Sequence, residues 1–189
     1  MRTCAEWLLG LLCIAFLLSL SSCEDFGDPP PRINLDPRNP SIEGIHLGDS
    51  PGQVQKVLGL PPGTGWLDGI DGGPWRSYQY DYRDRHAFCL MVGFLSNPGG
   101  EEWGPVDFVW VKDGYNGKTR EGIGTGSSRA IVYRFFGLPQ KAGIIDSLGN
   151  SNDFYCRGKA RVQFQFLRDT VRGISLGPFR PTQFDLVCP

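Results

Sequence analysis

Residues 44–61 recur at residues 122–139, 78 positions further on and without a gap, and 8 of the 18 positions are identical. The shared pairs are Gly44/Gly122, Ile45/Ile123, Gly48/Gly126, Ser50/Ser128, Val54/Val132, Gly59/Gly137, Leu60/Leu138 and Pro61/Pro139. A segment that returns at a fixed spacing is the mark of a supersecondary unit used more than once. The fold therefore has to be read as two copies of one unit.

The repeated stretch spells a short helix. Ser50 is an N-cap, Pro51 suits the first helical position, and Gln53 completes a Ser-x-x-Gln capping box. Val54, Val57 and Leu58 follow at helical spacing, which predicts one apolar face. Gly59 then supplies a left-handed stop, and Pro61-Pro62 forbid continuation. Ser128, the apolar Ile131, Val132, Phe135 and Phe136, and Gly137 repeat the plan. A helix of about eight residues is marginal alone and has to dock.

Strands follow each helix. After a Gly-rich loop over 63–73, period-two alternation predicts strands over 75–82, 86–95 and 106–111, with a turn at 83–85 and a loop over 96–105. In the second copy the same signals predict strands over 153–157, 161–167 and 171–176, with a turn at Arg168-Asp169. The expected fold class is α+β: two tandem helix–three-stranded-meander repeats forming an antiparallel sheet packed by short helices. Residues 41–121 would hold the first repeat, and 122–189 the second with a C-terminal tail.

The capped helix, its Leu-Gly-x-Pro ending and the aromatic strands resemble the repeat of the BamE (SmpA/OmlA) envelope lipoproteins. Two such repeats in tandem resemble β-lactamase inhibitor proteins. The residues that carry the likeness are Gly48, Ser50, Val54, Leu58, Gly59 and Pro61, and then Gly126, Ser128, Val132, Phe136, Gly137 and Pro139, within residues 42–179. The resemblance implies a non-catalytic protein-binding, assembly or scaffold module. Its motifs are cap and turn chemistry, so they speak for fold before activity.

The N-terminus sets the address. Residues 8–20 are an apolar run of 13, too short for a bilayer-spanning helix of about 20 residues and suited to a signal-peptide core. Leu20-Ser21-Ser22-Cys23 resembles a bacterial lipobox. The expectation is a signal peptide over 1–22, acyl chains on Cys23, and a proline-rich tether over 23–40. That places the protein in the bacterial envelope, on the outer membrane facing the periplasm, with the lipid as its membrane contact and another envelope protein as its partner. The net charge of −1 argues against nucleic acid, whose binding rests on concentrated positive charge.

An exported chain meets an oxidising compartment, and Cys156 with Cys188 is the candidate disulfide, leaving Cys89 over. No cofactor is expected. Without a Cys-x-x-Cys pair, and with His46 and His86 the only histidines, no metal site is expected either. Gly122-x-Gly124-x-Gly126 reads as a structural turn, because no βαβ unit surrounds it. Asp68 and Asp71 lie too far apart for a calcium loop. No catalytic residue emerges.

The functional hint is aromatic. Tyr78, Tyr80 and Tyr82 form a stripe, and Trp66, Trp75 and Trp103 lie nearby; all six are candidate partner contacts, since tyrosine and tryptophan suit interfaces. Core packing of the stripe beneath the helix is the favoured reading, and a contact surface is the alternative. An alternative function is an envelope small-ligand binder or enzyme, with the Gly-rich loop, Trp66 and Trp75 as a pocket wall.

Overall fold

The computed structural model describes residues 32–61, 63–68, 74–80, 89–96, 103–143 and 146–178. The chain divides into Met1–Pro30 and Pro31–Pro189. The first unit, with the expected signal peptide and Cys23, lies outside the described residues.

Both helices form where the caps place them. Helix α1 (Pro51–Leu58) starts on a reciprocal capping box: Gln53 N–H donates to Ser50 Oγ (3.3 Å), and Ser50 N–H donates to Gln53 Oε1 (2.7 Å). Helix α2 (Arg129–Phe136) has the simpler cap, Ile131 N–H to Ser128 Oγ (3.3 Å). Gly59 and Gly137 end them at φ +80 and +75, a region glycine enters freely. Each helix buries one valine fully, Val54 or Val132. The expected wider apolar face is narrower than the spacing implied: Val57 is 55% exposed and Phe135 50%.

The described residues form ten strands besides: β1 (Ile33–Asn34), β2 (Ser41–Ile42), β3 (Gly63–Asp68), β4 (Pro74–Tyr80), β5 (Leu90–Ser96), β6 (Trp103–Lys112), β7 (Lys141–Ala142), β8 (Asn150–Arg157), β9 (Ala160–Leu167) and β10 (Thr170–Pro178). Strands β1 and β2 pair with each other, and the other eight make one antiparallel sheet in the order β3-β4-β5-β6-β10-β9-β8-β7. The strands after α1 thus meet the strands after α2 where β6 pairs with β10, with Val111 opposite Ile174 and Val109 opposite Leu176. Val54 and Val132 share one core cluster with Tyr78, Val92, Phe94, Tyr155, Phe164 and Leu176. The helices therefore lie on the same face of the sheet.

Matching bonds tie each helix's N-terminal loop to the last strand that follows it. Gly48 N–H donates to Val106 O (2.9 Å) and Val106 N–H to Asp49 O (2.8 Å); Gly126 N–H donates to Val171 O (2.8 Å) and Val171 N–H to Ser127 O (2.8 Å). The β9–β10 turn has Arg168 and Asp169 at φ +49 and +65, which suits a two-residue hairpin.

Three expectations need correction. The meander is four-stranded on each side, not three. Residues 63–68, expected as Gly-rich loop, form β3 because Trp66, Leu67 and Thr64 pair as well as the glycines between them, in unbroken register with β4. Residues 141–142 add β7, too short for alternation to reveal. The tether also ends earlier than residue 40: Ile33 is fully buried and Leu35 nearly so, so β1 packs into the core, although residues 36–39 are exposed.

Candidate interaction surface

The tyrosine stripe is a clasp between helix and sheet. Tyr78 and Tyr80 are buried on the helix side. Gln55 Nε2 donates to Tyr78 Oη (2.9 Å), and Tyr80 Oη donates to Gly59 O (3.2 Å). Tyr78 packs on Trp103 (ring centroids 4.7 Å apart), which leans on Phe94 (5.3 Å). Named as candidate partner contacts, Tyr78 and Tyr80 instead lie under α1, Tyr78 accepting from the Gln55 side chain and Tyr80 holding the Gly59 carbonyl at the helix end, and the half-buried Trp103 packs against the same core. Trp66 and Trp75 lie in β3 and β4, but their side chains are outside the described residues, as is Tyr82.

The second half repeats the clasp and varies its neighbour. Tyr155 Oη donates to Gly137 O (3.2 Å). Two residues earlier, where the first half has Tyr78, stands the fully buried Asp153. It accepts from Tyr133 Oη (2.9 Å) and, at both oxygens, from Arg129 Nη1 (3.1 and 3.0 Å). Arg129 also donates to Ser151 Oγ, pairs through Nε with Asp169 (2.9 Å), and lies 4.1 Å from the Phe166 ring centroid. Burial opposes the Arg129 charge, but the Tyr133 hydroxyl and the Asp153 and Asp169 carboxylates outweigh it and raise its pKa. Burial raises Tyr155, and burial followed by the Asp153 contact raises Tyr133. Sequence reading passed over this cluster, because its members come from a helix, a strand and a turn.

The opposite face of the sheet carries no helix among the described residues. Register places Met91, Trp110, Ser175, Gln163 and Phe154 in one row across five strands. Beside it run Gly93 and Phe108, and on the other side Lys112, Gly173, Gln165 and Asn152. The Phe108 ring lies over Gly93 so closely that a Cβ there would stand 2.0 Å from Cε1. Trp110 lies beside Gly173 in the same way, a Cβ there standing 3.0 Å from Nε1, and Nε1 is buried with no hydrogen-bond partner. An indole donor left unpaired costs about 1–3 kcal/mol. Phe108, Trp110, Gln163, Gln165 and Ser175 are all half-buried, and so give both apolar area and donors and acceptors. The alternation of β5, β6 and β9 held this row in plain view, but sequence cannot say which face the helices cover.

A groove of about 730 Å³ lies elsewhere, lined by Pro37, Pro40, His46, Asp107, Lys159 and Pro178 among others. His46 Nδ1 sits 3.2 Å from Pro40 O, which only accepts, so the ring donates there. His86 lies outside the described residues. Among the described residues no group of three or more His, Cys, Asp or Glu side chains could hold a metal. Cys156 is disulfide-bonded and Cys89 is free and buried; Cys188 lies outside the described residues. No described helix is long and apolar enough to cross a membrane.

No family model matches the chain, and no curated protein matches it. Among solved structures it is similar to a DUF4309 family protein (YjgB) from Bacillus subtilis, at 12% identity and a TM-score of 0.46, over 75% of this chain and 88% of that one. It is also similar to a putative beta-lactamase inhibitor protein from Streptococcus mutans, at 13% identity and a TM-score of 0.28, over 83% of this chain and 92% of that one. Neither likeness is close enough to carry over a function.

Proposed function

We propose that the chain is a non-catalytic protein-binding module of the bacterial envelope, built from two tandem copies of a helix-and-meander unit. Acyl chains on Cys23 hold it at the outer membrane, facing the periplasm, and its partner is another envelope protein. The observation that carries the binding reading is the sheet face that carries no helix among the described residues, with Phe108 and Trp110 half-buried among Gln163, Gln165 and Ser175. Such a face offers rigid aromatic anchors on strands already fixed by pairing on both sides. The paired bonds Gly48–Val106 and Gly126–Val171, and Tyr80–Gly59 and Tyr155–Gly137, support the duplicated unit. The anchor rests on the sequence at 8–23.

A photo-crosslinking residue at Gln163 or Ser175 tests the face, with Lys56 on α1 as the comparison. The reading expects a discrete crosslinked envelope protein from Gln163 and Ser175 that is lost in Trp110→Ser. Equal capture from Lys56, or capture that survives Trp110→Ser, refutes the face. Mass spectrometry of the mature N-terminus tests the anchor: an unmodified Cys23 refutes it.

A further inference from the structure

The two outer edges of the eight-stranded sheet are built differently. On one side the edge strand β7 has two residues, and the chain around it already occupies β8: Gln140 N–H donates to Phe154 O (3.0 Å) and Asp146 N–H to Asn150 O (3.0 Å). On the other side β3 runs for six residues in unbroken register with β4, from Gly63 opposite Gln79 to Asp68 opposite Pro74. Among the described residues nothing pairs with its outer side. Natural edges are blunted by charge, proline, bulges or shortness. The strand reads Gly-Thr-Gly-Trp-Leu-Asp, with no proline, no shift of register and a single charge, Asp68, at its end.

We infer that β3 pairs antiparallel with β3 of a second copy of this chain. Outward-facing N–H and C=O groups alternate along a strand, so facing residues must share parity, and a two-fold pair has to centre on a residue. Two centres keep the strand engaged. Centring on Gly65 sets Gly63 opposite Leu67 and Thr64 opposite Trp66. Centring on Trp66 sets Gly65 opposite Leu67 and Thr64 opposite Asp68. Either way large residues away from the axis face small ones, and Asp68 never meets its own copy. Like charges directly opposite would oppose pairing. The chain's net charge of −1 adds little repulsion between copies. The two-fold axis stands normal to the sheet, so α1 and α2 of both copies lie on one side and the opposite sheet faces join on the other. This inference does not rest on the partner-binding reading and can fail separately.

Cysteine-scanning crosslinking in the full chain tests it, at Gly63, Gly65, Trp66 and Asp68. The residue on the axis brings its two Cα atoms to about 4.5–5.5 Å, within disulfide reach. Residues 63 and 68 stand at least four positions from their own copies in both registers, about 13 Å or more along the strand. The expected result is a disulfide-linked dimer from Gly65→Cys or Trp66→Cys, several-fold stronger than from Gly63→Cys or Asp68→Cys, and lost when Thr64→Lys is added. A dimer band independent of position, or crosslinking of Gly65→Cys and Trp66→Cys only to a different protein, overturns the pairing. Sedimentation of the unsubstituted chain gives a second reading, since a monomer at every concentration overturns it too.

Discussion

Replacing Asp153 by Asn isolates the buried charge cluster. Asp153 is fully buried and accepts three hydrogen bonds, two from Arg129 and one from Tyr133. Asparagine keeps the volume and one acceptor but removes the charge that faces Arg129, whose side chain is only 14% exposed. What remains to Arg129 is Asp169, 75% exposed and screened by solvent, together with Ser151 and the Phe166 ring. Breaking a buried pair from one side costs about 3–5 kcal/mol, and the remaining contacts put this case at the low end, about 3 kcal/mol. For a domain of this size that lowers Tm by about 6–12 °C. Urea denaturation should show a lower midpoint at an unchanged m-value. Arg129→Met should be comparably damaging, because it leaves Asp153 charged and buried. The double variant should lose much less than the sum, with a coupling of about 2 kcal/mol or more. Additivity within about 0.5 kcal/mol would refute the claim that the cluster acts as a unit.

Three further outcomes follow from the geometry. Tyr80→Phe and Tyr155→Phe should each cost about 1 kcal/mol in urea denaturation, additively, and a loss confined to one of them would mean the clasps are not equivalent. Gly93→Ala should cost about 1–3 kcal/mol, because the methyl meets the Phe108 ring, and Phe108→Leu should restore most of it; a thermal melt unchanged by Gly93→Ala refutes that contact. Tyr133 and Tyr155 sit above the ordinary tyrosine pKa of 10.0, so the fold holds their protons more tightly than the unfolded chain does. Their contribution is complete below about pH 10 and is lost as pH rises through the folded values, so the urea midpoint should hold through neutral pH, fall above pH 10, and fall less steeply in Tyr155→Phe.

The helices were legible because their ends are written in side-chain chemistry: Ser50, Gln53, Gly59 and Pro61 specify start and stop within a few residues. Strands β6, β8, β9 and β10 were legible from period-two patterning. Strand β3 was not, since Gly63 and Gly65 weaken the strand signal that its pairing with β4 overrides. Of the two readings of Tyr78 and Tyr80, core and contact surface, the structure shows core, and sequence alone could not decide between them. Alternation sorts residues into two faces, but only the three-dimensional path of α1 decides which face is covered. Arg129, Asp153 and Asp169 lie 16 to 40 positions apart, and no local pattern joins them.

The clasp that closes each helix has a consequence for how far the two halves can drift apart. Its acceptor is a backbone carbonyl, Gly59 O or Gly137 O, which no change of side chain removes. Its donor is a single tyrosine hydroxyl. The neighbouring polar contact also joins helix to sheet, but the two halves fill it with unrelated chemistry: a neutral amide and phenol in one, an ion pair in the other. A docking contact whose acceptor is backbone leaves the side chains around it free to differ between the two halves while the helix keeps its place.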